Sequence, residues 1–184
     1  YRLATSAPYP GGAEDVGLAV NWITRNIAQY GGCPGRIFLM GHSAGGAHVA
    51  TYGFDPASPH RLRTEVIGIV LLSARLQADV LPTNPNAAGV RAYFGDDGSL
   101  YPARSPLSHA HRSDIPLFVA VAEFENPHLD TYGEAFVDRV AAARGIAPQF
   151  RRLAKHNHTS IVAHFDSGED ELGREIIDFM AASP

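Results

Sequence analysis

The sequence predicts an α/β fold, in which helices cover both faces of a mostly parallel β-sheet. Three short runs, at 37–40, 66–72 and 116–122, are almost wholly apolar, which is typical of strands buried on both faces. Stretches with helical spacing lie between these runs, and this alternation indicates parallel βαβ units. The 184 residues, 45% of them hydrophobic, suffice for one core, so we expect a single domain over 1–184.

The first helix is predicted over 14–30, where apolar residues recur at intervals of three and four. The glycine-rich stretch 31–35 then ends it. Trp22 and Tyr30 are expected to be packing groups of this helix. The same criteria predict the remaining elements, which are a helix at 44–53, a helix at 130–144, a strand at 150–154 and a closing helix at 169–181.

The stretch 75–114 lacks a clear period and contains many turn-forming residues, so we interpret it as an irregular excursion over the surface. It carries aromatic residues that we expect to cover the sheet, with lining of a substrate pocket as the alternative. These residues are Tyr93, Phe94 and Tyr101.

Composition limits the partners of the protein. Fifteen basic and nineteen acidic residues give a formal charge of −4, so no nucleic-acid partner is expected. No apolar run approaches the roughly 20 residues of a membrane-spanning helix, so no membrane partner is expected. Cys33 is the single cysteine, which excludes an internal disulfide, and we interpret it as an incidental thiol. The first residues lack signal-peptide features, and a cytoplasmic location is favoured over a secreted one.

The most informative motif is Gly41-His42-Ser43-Ala44-Gly45, which has the form G-x-S-x-G and is followed by Gly46. It comes directly after an apolar strand and before a helix-compatible stretch, which is the setting of a nucleophile elbow. Serine on such a tight turn needs neighbours without Cβ atoms, because strand and helix approach closely. The motif therefore predicts Ser43 as a nucleophile near a helix N-terminus.

A serine hydroxyl needs an adjacent base, and the elbow fold expects the chain order serine, acid, histidine. Histidines near the elbow or before the expected acid do not fit this order. His156, His158 and His164 remain, after the strand at 150–154, at the sheet edge where such sites gather. The acid should follow the strand at 116–122, and the candidates there are Glu123, Glu125 and Asp130.

Several segments together resemble the α/β-hydrolase carboxylesterases, in the branch that includes hormone-sensitive-lipase-like enzymes, feruloyl-esterase-like enzymes and arylformamidases. The closing segment is similar to the family's G-H-N-H-F-S string, and the resemblance covers nearly the whole chain. It implies an α/β-hydrolase fold and a serine hydrolase. The segments that carry it are Tyr1-Arg2-Leu3-Ala4, Glu14-Asp15-Val16, Gly41 to Gly46, and His156-Asn157-His158-Thr159-Ser160.

The resemblance implies Ser43 as nucleophile and His158 as base. Thr159 stands where the family has Phe, and Lys155 stands where it has Gly, so His156 stays an alternative base. The segment Glu123-Phe124-Glu125-Asn126-Pro127 aligns with an E-L-D-P-like segment and puts Glu125 at the acid position. Asp130 ranks second and Glu123 third.

The resemblance further implies cleavage of small acyl or aryl esters through an acyl-enzyme, with the Ala44 N–H as one oxyanion donor. The pairs His109-x-His111 and His156-x-His158 could bring imidazoles together, but neither has a third spaced ligand, so no metal and no other cofactor is expected. The alternatives are an arylformamidase, which cleaves an N-formyl amide, and an inactive hydrolase-like fragment.

The family's H-G-G-G loop, which supplies further oxyanion donors, does not occur before Ser43. Residues 1–4 look like a strand that in the family follows this loop, and the chain lacks an initiator methionine. We therefore expect the C-terminal majority of a longer esterase, without its first strands, that is poorly active and poorly folded alone. Its oligomeric state is left open.

Overall fold

The computed structural model describes residues 1–4, 6–60 and 62–183. Its strands are β1 (Ile37–His42), β2 (Val66–Leu72), β3 (Leu117–Phe124) and β4 (Gln149–Asn157). Its helices are α1 (Gly11–Asn26), α2 (Ala44–Phe54), α3 (Ala87–Phe94), α4 (Tyr101–Arg104), α5 (Leu129–Arg144), α6 (Ser160–Ala163) and α7 (Glu171–Ala182). Short 3₁₀ turns cover Ile27–Tyr30, Gly98–Leu100 and Pro106–Arg112.

The four strands form one sheet in the order β1-β2-β3-β4, and every neighbouring pair is parallel. Alternate residues of the two central strands face two separate apolar clusters, because successive side chains of a strand point to opposite faces. Ile69 and Leu71 pack with residues of α1, α2 and α5. Val70 and Leu72 pack with residues of α6 and α7. Helices thus cover both faces, and the predicted α/β fold with a parallel sheet is confirmed.

The stretch 75–114 is not a surface excursion, so this prediction is wrong. It contains α3, α4 and two 3₁₀ turns, and many of its apolar side chains are buried, although Leu81 and Leu100 are exposed. The aromatic residues in it pack on one another and on Tyr9, in a cluster apart from the two that line the sheet. The members of that cluster are Ala78, Val90, Tyr93, Phe94 and Tyr101.

Two further expectations are corrected. Trp22 and Tyr30 are exposed at 52% and 68%, and their rings lie 6.0 Å apart, because α1 turns Val20 rather than Trp22 toward the core. Residues 1–4 form no strand. The Leu3 carbonyl accepts from the Ala7 N–H at 2.8 Å.

Two features bear on the expected partners. No helix in the described part of the chain is both long and apolar enough to cross a membrane. The Cys33 thiol is exposed and forms no disulfide.

Candidate active site

The candidate site lies at the carboxyl edge of the sheet, where all four strands end. The first residue beyond each strand is polar: Ser43 after β1, Ser73 after β2, Glu125 after β3 and His158 after β4. In open α/β sheets this edge is where ligands bind. Strand pairing therefore sets how these four residues lie relative to one another.

Ser43 occupies a strained turn between β1 and α2. Its φ of 55° and ψ of −119° lie in a region that L-residues rarely adopt, at a cost of about 1–3 kcal/mol. The surrounding chain holds it there: its N–H donates to the Leu72 carbonyl at 3.0 Å, and its carbonyl accepts from the Arg75 N–H at 3.1 Å. Such strain fits a residue whose side chain must project from the turn.

At two glycines of the elbow, neighbouring atoms leave no room for a side chain. A Cβ on Gly41 would lie 2.5 Å from the Gly45 carbonyl oxygen, and one on Gly46 would lie 2.4 Å from the Ala74 Cβ. A Cβ on Gly45 would meet nothing within 4 Å. The close approach inferred from the motif thus exists at its first glycine and at Gly46, but not at Gly45.

His158 joins a hydroxyl and a carboxylate. Its Nε2 lies 2.9 Å from Ser43 Oγ, and its Nδ1 lies 2.6 Å from Glu125 Oε1. Because a carboxylate only accepts, Nδ1 carries the proton and Nε2 of the neutral ring is free to accept the serine proton. The structure brings together the three residues that ranked first in sequence, in the order a serine–histidine–acid relay requires.

Glu125 is buried, its side chain only 2% exposed. Its carboxylate accepts from the backbone N–H groups of Asn126 at 2.9 Å and Ala122 at 3.3 Å. Burial acts to raise the pKa of Glu125, but the hydrogen bonds from His158 and the Asn126 N–H, together with the nearby Ser73 hydroxyl, outweigh burial and lower the pKa below its ordinary value. The Ser73 hydroxyl acts from nearby, since no hydrogen bond of standard geometry joins it to the carboxylate.

The two other acid candidates lie elsewhere. Asp130 pairs with Arg152 at 3.4 Å. Glu123 is exposed, and its carboxylate accepts from the Lys155 N–H at 2.6 Å. That contact stabilises a bulge in β4, where Lys155 adopts a φ of 64°. The left-handed conformation explains why glycine suits this position.

The alternative bases do not reach Ser43. Nδ1 of His156 lies 3.2 Å from both oxygens of Ser160, and its ring lies 4.5 Å from that of His164. Nδ1 of His164 lies 3.0 Å from the Ser160 carbonyl. These rings support the loop that follows β4.

Sequence reasoning set His42 aside as too close to Ser43, yet His42 touches the site. Its Nε2 lies 2.8 Å from the His158 carbonyl oxygen, and the two rings are 4.6 Å apart. Burial lowers the pKa of His42, so its ring is neutral at neutral pH. The only signal in the sequence was its place at the end of a strand.

Ala44 is the first residue of α2, so its N–H has no acceptor within the helix. Together with the helix dipole, such a group favours negative charge beside Ser43. The Ala44 N–H is available to an oxyanion formed at the serine.

A cavity of about 290 Å³ adjoins Ser43. Its walls come from residues 1–4, α2 and α3, and they are mainly apolar. The wall formed by residues 1–4 is held in place by Arg2, because its backbone N–H and Nε donate to Asp15 at 2.6 and 2.8 Å. Tyr93 and Phe94 line this cavity, so the pocket-lining alternative describes them better than sheet covering. A small acyl or aryl group fits such a space.

Histidines of both pairs considered as metal ligands contact other groups of the protein. His109 contacts the Ala103 carbonyl at 2.9 Å, and His158 belongs to the relay described above. Within residues 1–4, 6–60 and 62–183, no cluster of three or more His, Cys, Asp or Glu could hold a metal ion.

Comparison with known proteins agrees with this architecture. A protein-family model described as alpha/beta hydrolase fold matches residues 1–161. Carboxylesterase NlhH of Mycobacterium tuberculosis is 50% identical over 46 residues, which are 25% of this chain and 14% of that protein. Esterase LipQ of the same organism is 26% identical over 172 residues, which are 86% of this chain and 41% of that protein. The chain thus spans less than half the length of either relative.

Solved esterases share the fold. Inhibited esterase B from Lactobacillus rhamnosis superposes with a TM-score of 0.80 and 18% identity, over 99% of this chain and 64% of that one. Carboxyl esterase 2 from Tuber melanosporum superposes with a TM-score of 0.72 and 20% identity, over 97% of this chain and 65% of that one.

Proposed function

The chain belongs to the alpha/beta hydrolase fold family, and we propose that it hydrolyses carboxylic esters with small acyl or aryl groups, using Ser43, His158 and Glu125. One observation carries this proposal. A single imidazole lies 2.9 Å from a strained serine hydroxyl and 2.6 Å from a buried carboxylate. The relatives described above are named as esterases, which favours ester hydrolysis over the formamide hydrolysis considered from sequence.

The proposed reaction uses this geometry. His158 Nε2 takes the Ser43 proton as Ser43 Oγ bonds to the ester carbonyl carbon. Glu125 keeps the ring in the required tautomer and stabilises the imidazolium. The oxyanion accepts from the Ala44 N–H. The C–O bond to the alcohol then breaks, and the alcohol leaves with the proton from His158.

Deacylation repeats these steps with water. His158 takes a proton from the water molecule whose oxygen attacks the acyl carbon, and it returns that proton to Ser43 Oγ as the acid leaves. Ala44 is the one oxyanion donor we assign, and loss of a donor costs about 10²- to 10³-fold in rate.

The test is an assay of p-nitrophenyl acetate, butyrate and octanoate beside N-formylkynurenine, with wild-type protein and S43A. We expect ester turnover above background that favours the short esters, and its loss by at least about 10³-fold in S43A. A covalent adduct of a p-nitrophenyl phosphonate on Ser43 should appear by mass spectrometry in the wild type only. Turnover that S43A retains would reject the nucleophile, and a preference for N-formylkynurenine would reject the ester assignment.

A further inference from the structure

Ser43 and His158 follow strands at opposite edges of the sheet. β1 and β4 are the outer strands of the order β1-β2-β3-β4, and three strand spacings separate them by roughly 14 Å. Ser43 follows β1, whereas His158 follows β4. The loop after β4 must therefore lean back over the tops of β2 and β3 to bring its imidazole to the serine.

His42 contacts His158, the first residue of that loop. Its Nε2 donates to the His158 carbonyl at 2.8 Å, because a carbonyl oxygen only accepts. Its ring also lies against the His158 ring, with centroids 4.6 Å apart and planes at 36°. Two consecutive residues thus contact His158 at both ends: His42 at its backbone, and Ser43 at its Nε2.

We propose that His42 is a positioning residue for the reaction, which fixes the backbone and ring of His158 so that Nε2 stays within hydrogen-bond distance of Ser43 Oγ. This inference rests on the proposed function, since it assigns His42 a role in that reaction. His42 lies at the end of β1, where pairing with Leu72 fixes its backbone. A strand is a better anchor for a loop than another loop would be.

Two substitutions separate the contacts of His42. His42→Phe keeps a flat ring but loses the N–H donor, and the His158 carbonyl is left without it. His42→Gln loses the ring but keeps an amide donor at about the reach of Nε2. His111→Phe makes the same exchange at an exposed histidine outside the site and controls for the substitution itself.

We expect H42F to lower kcat for p-nitrophenyl acetate by about 10- to 100-fold with less than a threefold change in KM, because an ångström of misplacement costs up to about 10²-fold. H42Q should recover kcat to within about fivefold of wild type, and H111F should match wild type. Equal kcat in H42F and wild type, or equal losses in H42F and H42Q, would overturn the proposal. If H42F does not melt cooperatively, H42Q is compared with H42N, whose shorter amide falls short of the carbonyl, and equal kcat overturns the proposal.

A second readout needs no substrate. The proton shared by His158 Nδ1 and Glu125 gives a far-downfield NMR resonance when the short hydrogen bond is held in place. We expect this resonance in wild type and H42Q and not in H42F, and any other pattern overturns the proposal. A wild type that shows the resonance but hydrolyses no ester would reject the proposed function and leave the positioning of His158 to be decided by this comparison.

Discussion

Oε1 of Glu125 lies 2.6 Å from Nδ1 of His158, whereas Asp130 pairs with Arg152 and the Glu123 carboxylate accepts from the Lys155 N–H. In the proposed reaction, this contact gives Glu125 the task of orienting the imidazole and stabilising its positive charge. It also distinguishes Glu125 from Asp130 and Glu123, which the sequence could only rank.

Replacing Glu125 by Gln should lower kcat by about 10²- to 10⁴-fold, because the amide cannot stabilise an imidazolium and favours the wrong tautomer. Asp130→Asn and Glu123→Gln are the matched controls, and each should stay within about threefold of wild type. Steady-state kinetics with p-nitrophenyl butyrate compares the three. A D130N loss as large as that of E125Q would move the acid role to Asp130.

Stability should fall as pH drops from 6.5 to about 4, because of His48. Burial, at 4% exposure, is the largest cause that lowers the pKa of His48 from 6.5 to about 4. In that window the unfolded chain binds a proton that the folded protein does not, so acid favours unfolding by up to about 3 kcal/mol. Urea unfolding at pH 7, 5.5 and 4.5 should show a smaller loss in H48F than in wild type, whereas equal losses would contradict this.

The elbow glycines should respond differently to alanine. G46A and G41A place a Cβ within 2.4–2.5 Å of neighbouring atoms, so each should lower the free energy of unfolding by about 1–3 kcal/mol. G45A introduces no contact within 4 Å and lies in α2, so it should be neutral or stabilise by up to about 1 kcal/mol. Urea unfolding of the three variants measures this, and equal destabilisation by G45A would count against the described elbow.

Replacing Lys155 by glycine should raise the free energy of unfolding. Its φ of 64° is strained for a residue with a Cβ, by about 1–2 kcal/mol, and glycine recovers this less an entropic cost of about 0.5–1 kcal/mol. We expect K155G to gain up to about 1 kcal/mol in denaturant unfolding. Lys155→Ala removes the charge but keeps the Cβ and should gain nothing. A K155A gain equal to that of K155G would attribute the effect to charge.

Filling the cavity should narrow the substrate range. Gly89 lines the cavity, and a Cβ there meets nothing within 4 Å, so Gly89→Leu should fill space without strain. We expect kcat/KM for p-nitrophenyl octanoate to fall at least tenfold relative to that for the acetate. Gly168→Leu, at an equally open glycine in another groove, should leave the ratio unchanged. An unchanged ratio in G89L would place the acyl chain outside this cavity.

Much of the fold could be predicted because its signals are local. Continuous apolar runs mark β2 and β3, and the elbow motif marks the junction between β1 and α2. The apolar positions of α1 located a helix but not the direction of Trp22, which depends on the face the helix turns toward the sheet. The stretch 75–114 was misread because its helices are too short to show a period.

The sequence predicts the part of the candidate site that depends on which residue follows each strand. Ser43 and the residues after β3 and β4 could be placed at one edge from order alone. The choice of Glu125 depended on two long-range contacts, Arg152 with Asp130 and the β4 bulge with Glu123, which leave no sequence pattern. His42 acts across the width of the sheet, so spacing along the chain could not reveal it.

The last paired residues of β3 and β4 are Phe124 and Asn157, and Glu125 and His158 are the next residues along each strand. The pairing of β3 with β4 therefore sets the distance between Glu125 and His158, and the loops beyond these strands do not. Segments such as 1–4 and α3, which shape the cavity, contribute no atom to that pairing. Exchanging these outer segments is therefore expected to alter which molecules enter the cavity, while the distance between Glu125 and His158 stays the same.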